Sequence, residues 1–438
     1  MIISRYTFMF KSAKNGYLLY NARTNSFAEL SDSMFKRLET IRSSPDRITE
    51  LFTQDDLDVL SKTKIIVKEN EDDDYVMTEK LRYYMSAFSP SCLNLTIAPT
   101  TECNFRCPYC YEENKTKTFI TTEVENAIVN FIIKHKKADQ ISLTWYGGEP
   151  LLAFQSIRSL YEKMTKIEGK RIIQHSIITN GYLMDKEKCS FFKEHQLNMI
   201  QFTLDGCREI HNKIRIHKNK DLTTFDRIIE NIILCAKQLP ETVINVRVHV
   251  DENRLEEYAK VHNEMKALLE KYHNIQLMPG FITDYGRNCE LLNRQQRGQF
   301  FIDLYHKYNI DVQFYPCHET GGCGATCLNS YVIGPEGELY KCWVDVGNKE
   351  RIVGSVLDMK INNEYLLANY LVNANMYDDD ACKQCMLLPI CNGGCPIRRL
   401  NNKKKNLNEN LCTARKDFLQ QFLETHYEIR LKQRNTYE

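Results

Sequence analysis

At 438 residues the chain exceeds one typical domain, and two or three are expected. Hydrophobic residues make up 43% and charged residues 26%, which suits sizeable cores and argues against disorder. Lys plus Arg (58) nearly cancels Asp plus Glu (57), so global charge gives no reason to expect nucleic acid or an anionic membrane as a partner. No apolar run approaches the ~20 residues that cross a bilayer. Residues 1–16 lack the basic, apolar and small-residue order of a secretory signal, so a cytoplasmic location is expected. Seventeen cysteines are many for a reducing compartment; zinc ribbons, disulfides and iron–sulfur clusters all fit that count, and spacing has to separate them.

Residues 1–90 read as a small separate unit. Tyr6–Phe10 and Gly16–Tyr20 predict two strands joined by a polar turn. Ser31 is placed to cap a helix through Met34, Phe35, Leu38 and Ile41. A second amphipathic stretch with Leu51, Leu57 and Leu60 leads to a short strand at 64–67, and the acidic run 69–74 closes the unit. This order suits a winged-helix-like module; a mere packing extension of the next domain is the alternative.

Residues 91–310 alternate apolar runs with helical patterns. Candidate strands are Leu93–Ala98, Ile141–Tyr146, Ile172–Thr179, Met199–Leu204, Val243–Val250 and Ile275–Ile282, with helix-like stretches such as Glu123–His135 and Thr224–Gln238 between them. Six strand–helix units in tandem imply an α/β fold with parallel strands, as a barrel or an open sheet. After the first strand comes Cys103-Asn104-Phe105-Arg106-Cys107-Pro108-Tyr109-Cys110, a CxxxCxxC loop. Three thiols so close together do not make ordinary disulfides; soft sulfur ligands favour zinc, copper(I) or an iron–sulfur cluster. Zinc would need a fourth protein ligand, whereas three cysteines on a four-iron cluster leave one iron open.

The loop, with its aromatic residue before the last cysteine, resembles that of the radical S-adenosylmethionine (SAM) superfamily. The resemblance extends over the whole α/β segment and implies a partial (β/α)6 barrel, with Cys103, Cys107 and Cys110 on a [4Fe–4S] cluster and Tyr109 beside the cofactor. It also implies SAM contacts from Gly147, Gly148, Glu149 and Pro150 after the second strand, and from Thr179 and Asn180 after the third. Thr203-Leu204-Asp205-Gly206 with His211 and Arg215 matches a further stretch of that family, and by resemblance Thr203, Asp205 and Arg215 face the ribose and carboxylate. An arginine fork pairs bidentately with a carboxylate, which suits Arg215 to the role. Ordinary turns and a solvated arginine remain the bland readings of these positions.

Beyond residue 310 the alternation gives way to Gly and Cys. Residues 329–339 read as a hairpin turning at 334–337. The cysteines follow the pattern CxxxC-x9-Gx4C, then CxxCx5CxxxC and a last cysteine. The pattern resembles the SPASM extension of peptide-modifying radical SAM enzymes, which carries auxiliary [4Fe–4S] clusters. That family's interleaving would assign Cys323, Cys327, Cys342 and Cys395 to one cluster and Cys382, Cys385, Cys391 and Cys412 to another, making three clusters in all; Cys317 is near enough to replace Cys323 or Cys327. Cys92, Cys189, Cys207, Cys235 and Cys289 stand alone and default to small buried hydrophobes.

By resemblance, then, the domains are 1–90, a leader-peptide recognition module; 91–310, the radical SAM core; and 311–438, the SPASM domain. The implied activity is maturation of a ribosomally made precursor peptide: a 5′-deoxyadenosyl radical takes a hydrogen and a thioether or carbon–carbon cross-link, or a related oxidation, follows. A precursor peptide with its leader and a flavodoxin- or ferredoxin-type electron donor are the implied partners. One alternative is an anaerobic sulfatase-maturing enzyme that forms formylglycine; that family has an acidic base directly after the cysteine matching Cys342, where this chain has Trp343, with Asp345 as a candidate substitute. A non-catalytic iron–sulfur electron-transfer protein is the third reading.

Overall fold

The computed structural model describes residues 1–110, 116–252, 255–282, 292–318, 322–405, 407 and 409–437. It begins with β1 (Ile2–Ile3) and an antiparallel meander of β2 (Thr7–Ser12), β3 (Gly16–Asn21) and β4 (Ser26–Leu30). Then come α1 (Asp32–Ser43), α2 (Ile48–Leu51), α3 (Gln54–Lys62), β5 (Ile66–Val67), which pairs with β1, and α4 (Glu71–Ala87). Ser31 caps α1, its side chain accepting from the Met34 amide, as its position predicts. The third meander strand and β1 are additions to the expected pair. The acidic run does not close this segment: it opens α4, where Glu71–Asp74 occupy the first turn and complement the helix dipole. Asp72 is buried and accepts from the Ser4 hydroxyl (3.1 Å) and the Arg5 amide (2.8 Å).

The next stretch is a strand–helix series: β6 (Cys92–Ile97), α5 (Thr122–Lys134), β7 (Gln140–Trp145), α6 (Phe154–Thr165), β8 (Arg171–Ile178), α7 (Lys186–Glu194), β9 (Met199–Leu204), α8 (Arg208–Ile214), α9 (Phe225–Gln238), β10 (Val243–Val250), α10 (Leu255–Lys271) and β11 (Ile275–Phe281). The six strands pair in parallel and in sequence order, so the expected α/β fold with a parallel-rich central sheet is present. Strand alternation sorts the faces: on β10, Ile244, Val246, Val248 and Val250 are fully buried, while Asn245, Arg247 and His249 share the opposite face.

After α11 (Arg294–His306), β12 (Ser330–Ile333) and β13 (Glu338–Tyr340) form the expected hairpin, and β12 adds to β6 in parallel. β14 (Gly354–Ser355) and β15 (Lys360–Ile361) extend the same sheet. Four helices follow: α12 (Glu364–Ala368), α13 (Asp380–Lys383), α14 (Pro396–Lys405) and α15 (Arg415–Tyr437).

Packing groups the chain into two compact units, and does so differently from the three expected segments. One unit comprises residues 1–88, 293–326 and 370–438; the other comprises 89–292 and 327–369. In the first, the meander is covered on both faces. Met9 and Leu19 pack against Leu38, Ile41, Phe52 and Leu60 of the amino-terminal helices. Phe10, Leu18 and Tyr20 pack against Met376, Leu387, Leu388, Leu419 and Leu423. Two covered faces explain why β3 reads Tyr-Leu-Leu-Tyr instead of alternating with polar residues. In the second unit the cysteine loop follows β6.

Candidate functional site

The loop after β6 is held by backbone on both sides. The Gly148 and Glu149 amides donate to the carbonyls of Thr100 (3.1 Å) and Glu102 (2.8 Å). A Cβ on Gly147 would lie 2.3 Å from the Thr100 oxygen, and one on Gly148 2.3 Å from that of Glu102. These glycines therefore let the second strand's loop approach the first strand's loop. Opposite, the Arg106 amide donates to Ile216 O and the Lys218 amide to Asn104 O, both at 2.8 Å, and Lys218 pairs with Glu102.

Glu149 is fully buried, accepting from the Leu151 amide (3.0 Å), the Thr179 hydroxyl (2.7 Å) and the Asn180 amide (2.8 Å). Burial raises its carboxyl pKa, although all three donors oppose the shift. The Asn180 side chain donates to Asn104 Oδ1 at 2.7 Å and lies 3.9 Å from Cys103 Sγ, so the third strand's loop reaches the cysteine loop. Pro150 opens a short 3-10 turn, and Thr203 is buried near the end of β9.

A second knot of side chains forms around Asp205. Its carboxylate accepts from His249 Nδ1 (3.0 Å) and the Tyr109 hydroxyl, and pairs with Arg215 Nη1 at 3.5 Å. Arg215 also donates to the Tyr109 hydroxyl at 3.0 Å, and His249 Nδ1 stands 3.1 Å from the same oxygen. Burial works against the carboxylate, yet His249, Arg215 and Tyr109 together hold Asp205 well below the usual range. The Asp205 amide meets His211 Nδ1 at 3.3 Å.

These residues fit a SAM-bound iron–sulfur cluster. Burial pushes the Cys103 and Cys107 thiols up to about 12, a cost that iron ligation removes by neutralising the thiolates. Arg215 Nε, His211 Nε2 and Asn104 Nδ2 are buried without a hydrogen-bond partner among the described residues, leaving donor capacity for a ligand. No group of three or more Cys, His, Asp or Glu among the described residues closes around a single ion. A cubane, whose cysteines bind different irons, spaces its ligands more widely.

The other unit holds a cavity of about 230 Å³ whose lining includes Cys382, Cys385, Cys391 and Cys412 together with Arg399. The SPASM resemblance implies a grouping of those four cysteines, and all four line this cavity. Of the other proposed set, Cys323 and Cys395 lie in this unit and Cys327 and Cys342 in the unit of the parallel sheet. Cys317 is half-buried in the same segment as Cys323. Trp343 is 41% exposed and packs against Tyr146, ring centroids 5.1 Å apart. Asp345 is buried, with Arg351 Nε 3.9 Å away. Cys189 and Cys235 are fully buried, Sγ to Sγ 3.7 Å; Cys92 and Cys207 are half-buried, and Cys289 lies outside the described residues.

The model of the radical SAM superfamily matches residues 97–280, from the end of β6 to β11. The chain carries a radical SAM domain. A cysteine-type anaerobic sulfatase-maturating enzyme of Clostridium perfringens is 25% identical over 368 residues, covering 75% of this chain and 95% of that protein. Among solved structures, anSMEcpe with bound AdoMet (another name for SAM) superposes with a TM-score of 0.60 at 22% identity, over 79% of this chain and 100% of the other. SuiB of Streptococcus suis gives 0.51 at 15% identity, over 94% and 100%. The chain is thus a radical SAM enzyme related to sulfatase maturases and similar in fold to SuiB, and its domain implies SAM and a [4Fe–4S] cluster. The non-catalytic carrier reading is set aside.

Sequence reasoning missed His249, Lys218 and Arg399. Alternation along β10 puts His249 on the face opposite the buried valines, and Arg399 follows Cys395 by one helical turn. Either signal was available; neither residue belongs to a spaced motif.

Proposed function

We propose that this radical SAM enzyme matures a ribosomally made peptide, installing a thioether or carbon–carbon cross-link or a related oxidation. The supporting observation is the extent of the SuiB likeness: it covers 94% of this chain, against 79% for anSMEcpe. SuiB has also been solved bound to its precursor peptide SuiA. Residues 1–90, winged-helix-like, are assigned to leader capture; residues 91–310 carry the chemistry and 311–438 the auxiliary clusters. The donor would be a flavodoxin- or ferredoxin-type protein of the cytoplasm. Among the described residues no helix is long and apolar enough to cross a membrane.

Cys103, Cys107 and Cys110 would hold the SAM-binding cluster. Together the cluster and SAM supply reductive cleavage of a sulfonium bond and a radical able to take hydrogen from an unactivated carbon. The chain's own residues supply position. Gly147 and Gly148 clamp the loop against the second strand's end. Arg215, anchored on Asp205 and Tyr109, keeps a buried Nε available for an acceptor such as the SAM carboxylate. Glu149 orders the Thr179–Asn180 turn beneath it. Cys382, Cys385, Cys391 and Cys412 are assigned to one auxiliary cluster on the strength of their shared cavity. Cys323, Cys327, Cys342 and Cys395 are proposed for another on the SPASM resemblance alone.

The sulfatase-maturase reading is favoured by the 25% identity over 368 residues and by the higher TM-score of anSMEcpe, 0.60 against 0.51 for SuiB. Against it stand Trp343 after Cys342 and the burial of Asp345 beside Arg351. Anaerobically reconstituted protein given SAM and a reductant should release 5′-deoxyadenosine. Adding a leader-bearing precursor peptide should then yield a product lighter by two hydrogens. Appearance of a hydrazide-reactive aldehyde on a sulfatase-type Cys or Ser peptide, with the precursor untouched, would establish the other reaction.

A further inference from the structure

Arg399 is 2% exposed on the wall of the four-cysteine cavity. Its Nη1 donates to Asp379 Oδ2 at 2.6 Å, and its Nη2 to Gly393 O at 2.7 Å and to Cys382 Sγ at 3.5 Å. A buried guanidinium is costly unless paired, and Asp379 provides the counter-charge. The same carboxylate caps α13, accepting the Cys382 amide at 3.2 Å, so one side chain orients both the arginine and the cysteine. Asp379 and Gly393 already give the cation two oxygen acceptors; the bond to sulfur is an additional one.

Apolar Met376, Leu387, Leu388 and Leu411 share the remaining lining with polar residues that include Glu409 and Lys416. Because Arg399 itself is buried, its charged N–H toward sulfur is screened less than that of an exposed cation. Lys416 Nζ, 3.7 Å from Cys412 Sγ, offers a contrast: it is exposed to solvent, where its field is screened.

We propose that Arg399 is a tuning residue: by donating to the Cys382 sulfur it makes an iron–sulfur cluster held in this cavity easier to reduce. Adding an electron increases the negative charge on cluster and sulfurs, and an N–H donor to sulfur stabilises that state more than the oxidised one. The inference rests on the auxiliary-cluster reading and adds to it a determinant of potential that ligand spacing does not contain.

The test is a dithionite titration followed by electron paramagnetic resonance, on full-length reconstituted protein carrying Cys107→Ala to remove the loop cluster's signal. Adding Arg399→Gln should leave iron content unchanged and move one midpoint to more negative potential. The expected size is at least a tenfold change in the oxidised-to-reduced ratio, 59 mV for a one-electron couple. Lys416→Gln should move it by well under half as much. An unmoved midpoint at full iron, or an equal shift from Lys416→Gln, overturns the proposal. If Arg399→Gln loses iron, Arg399→Lys, which keeps the charge but not the fork, is titrated instead. A smaller negative shift supports tuning; no shift, or iron loss here too, makes Arg399 purely architectural and overturns it. Failure of the cluster reading looks different: Cys385→Ala would then retain wild-type iron and every midpoint.

Discussion

In the loop at 103–110, three thiols within eight residues are held by neighbouring strand ends through backbone hydrogen bonds and glycine contacts. In the cavity at 382–412, four thiols spread over a longer stretch rely on short helical turns, a buried arginine and a hydrophobic core. The loop's geometry is supplied by a parallel sheet of its own unit. The cavity's core is completed by Phe10, Leu18 and Tyr20, several hundred positions earlier in the chain. A contiguous motif at the strand ends thus depends on local backbone, and a dispersed one on distant packing.

The largest expected effect tests that dependence. Deleting residues 1–88 should uncover Met376, Leu387, Leu388, Leu419 and Leu423 and abolish iron binding in the cavity, read as lost iron and rapid proteolysis of the carboxy-terminal segment. Retention of cavity iron would break the comparison. Cys107→Ala should eliminate 5′-deoxyadenosine release while the cavity keeps its iron, measured by chromatography and iron analysis. Leu423→Ala, at a fully buried position of the cavity's unit, should cost about 2–5 kcal/mol in denaturant unfolding.

The unit of the parallel sheet should respond to acid through His175. This ring accepts from Trp145 Nε1 at 2.9 Å, and burial lowers its pKa from 6.5 to about 4. The unfolded chain therefore binds the proton more readily than the fold does. The stability from the neutral ring is complete above about pH 6.5 and is lost as pH falls through about 4, roughly 3 kcal/mol in all. Denaturant midpoints across that window should fall for the wild type and be flatter for His175→Gln. The smallest effect is Gly148→Ala, whose methyl would meet Glu102 O at 2.3 Å; a shift of backbone costing about 1–3 kcal/mol is expected, with weakened SAM binding as the second readout.

The six core strands were legible to within a residue or two, because each is a short apolar run between turn signals and its pattern needs no distant information. The cysteine loop and GGEP were legible as motifs because their residues are contiguous. Their mutual contact was not: nothing in Gly147-Gly148 says that the room they make is for Thr100 and Glu102. The extended role of residues 1–88 was hidden too, since Tyr-Leu-Leu-Tyr reports that both faces are covered without naming what covers them.

By itself the sequence determined the six core strands, their parallel α/β character and the presence of a soft thiolate loop, all of which follow from local periodicity and residue type. Only the tertiary structure decided that His249 meets Asp205, that Arg399 meets Cys382, and that the first and last segments share a core. Those are contacts between side chains far apart in the chain, and their partners are chosen by packing and charge compensation once the sheets have formed.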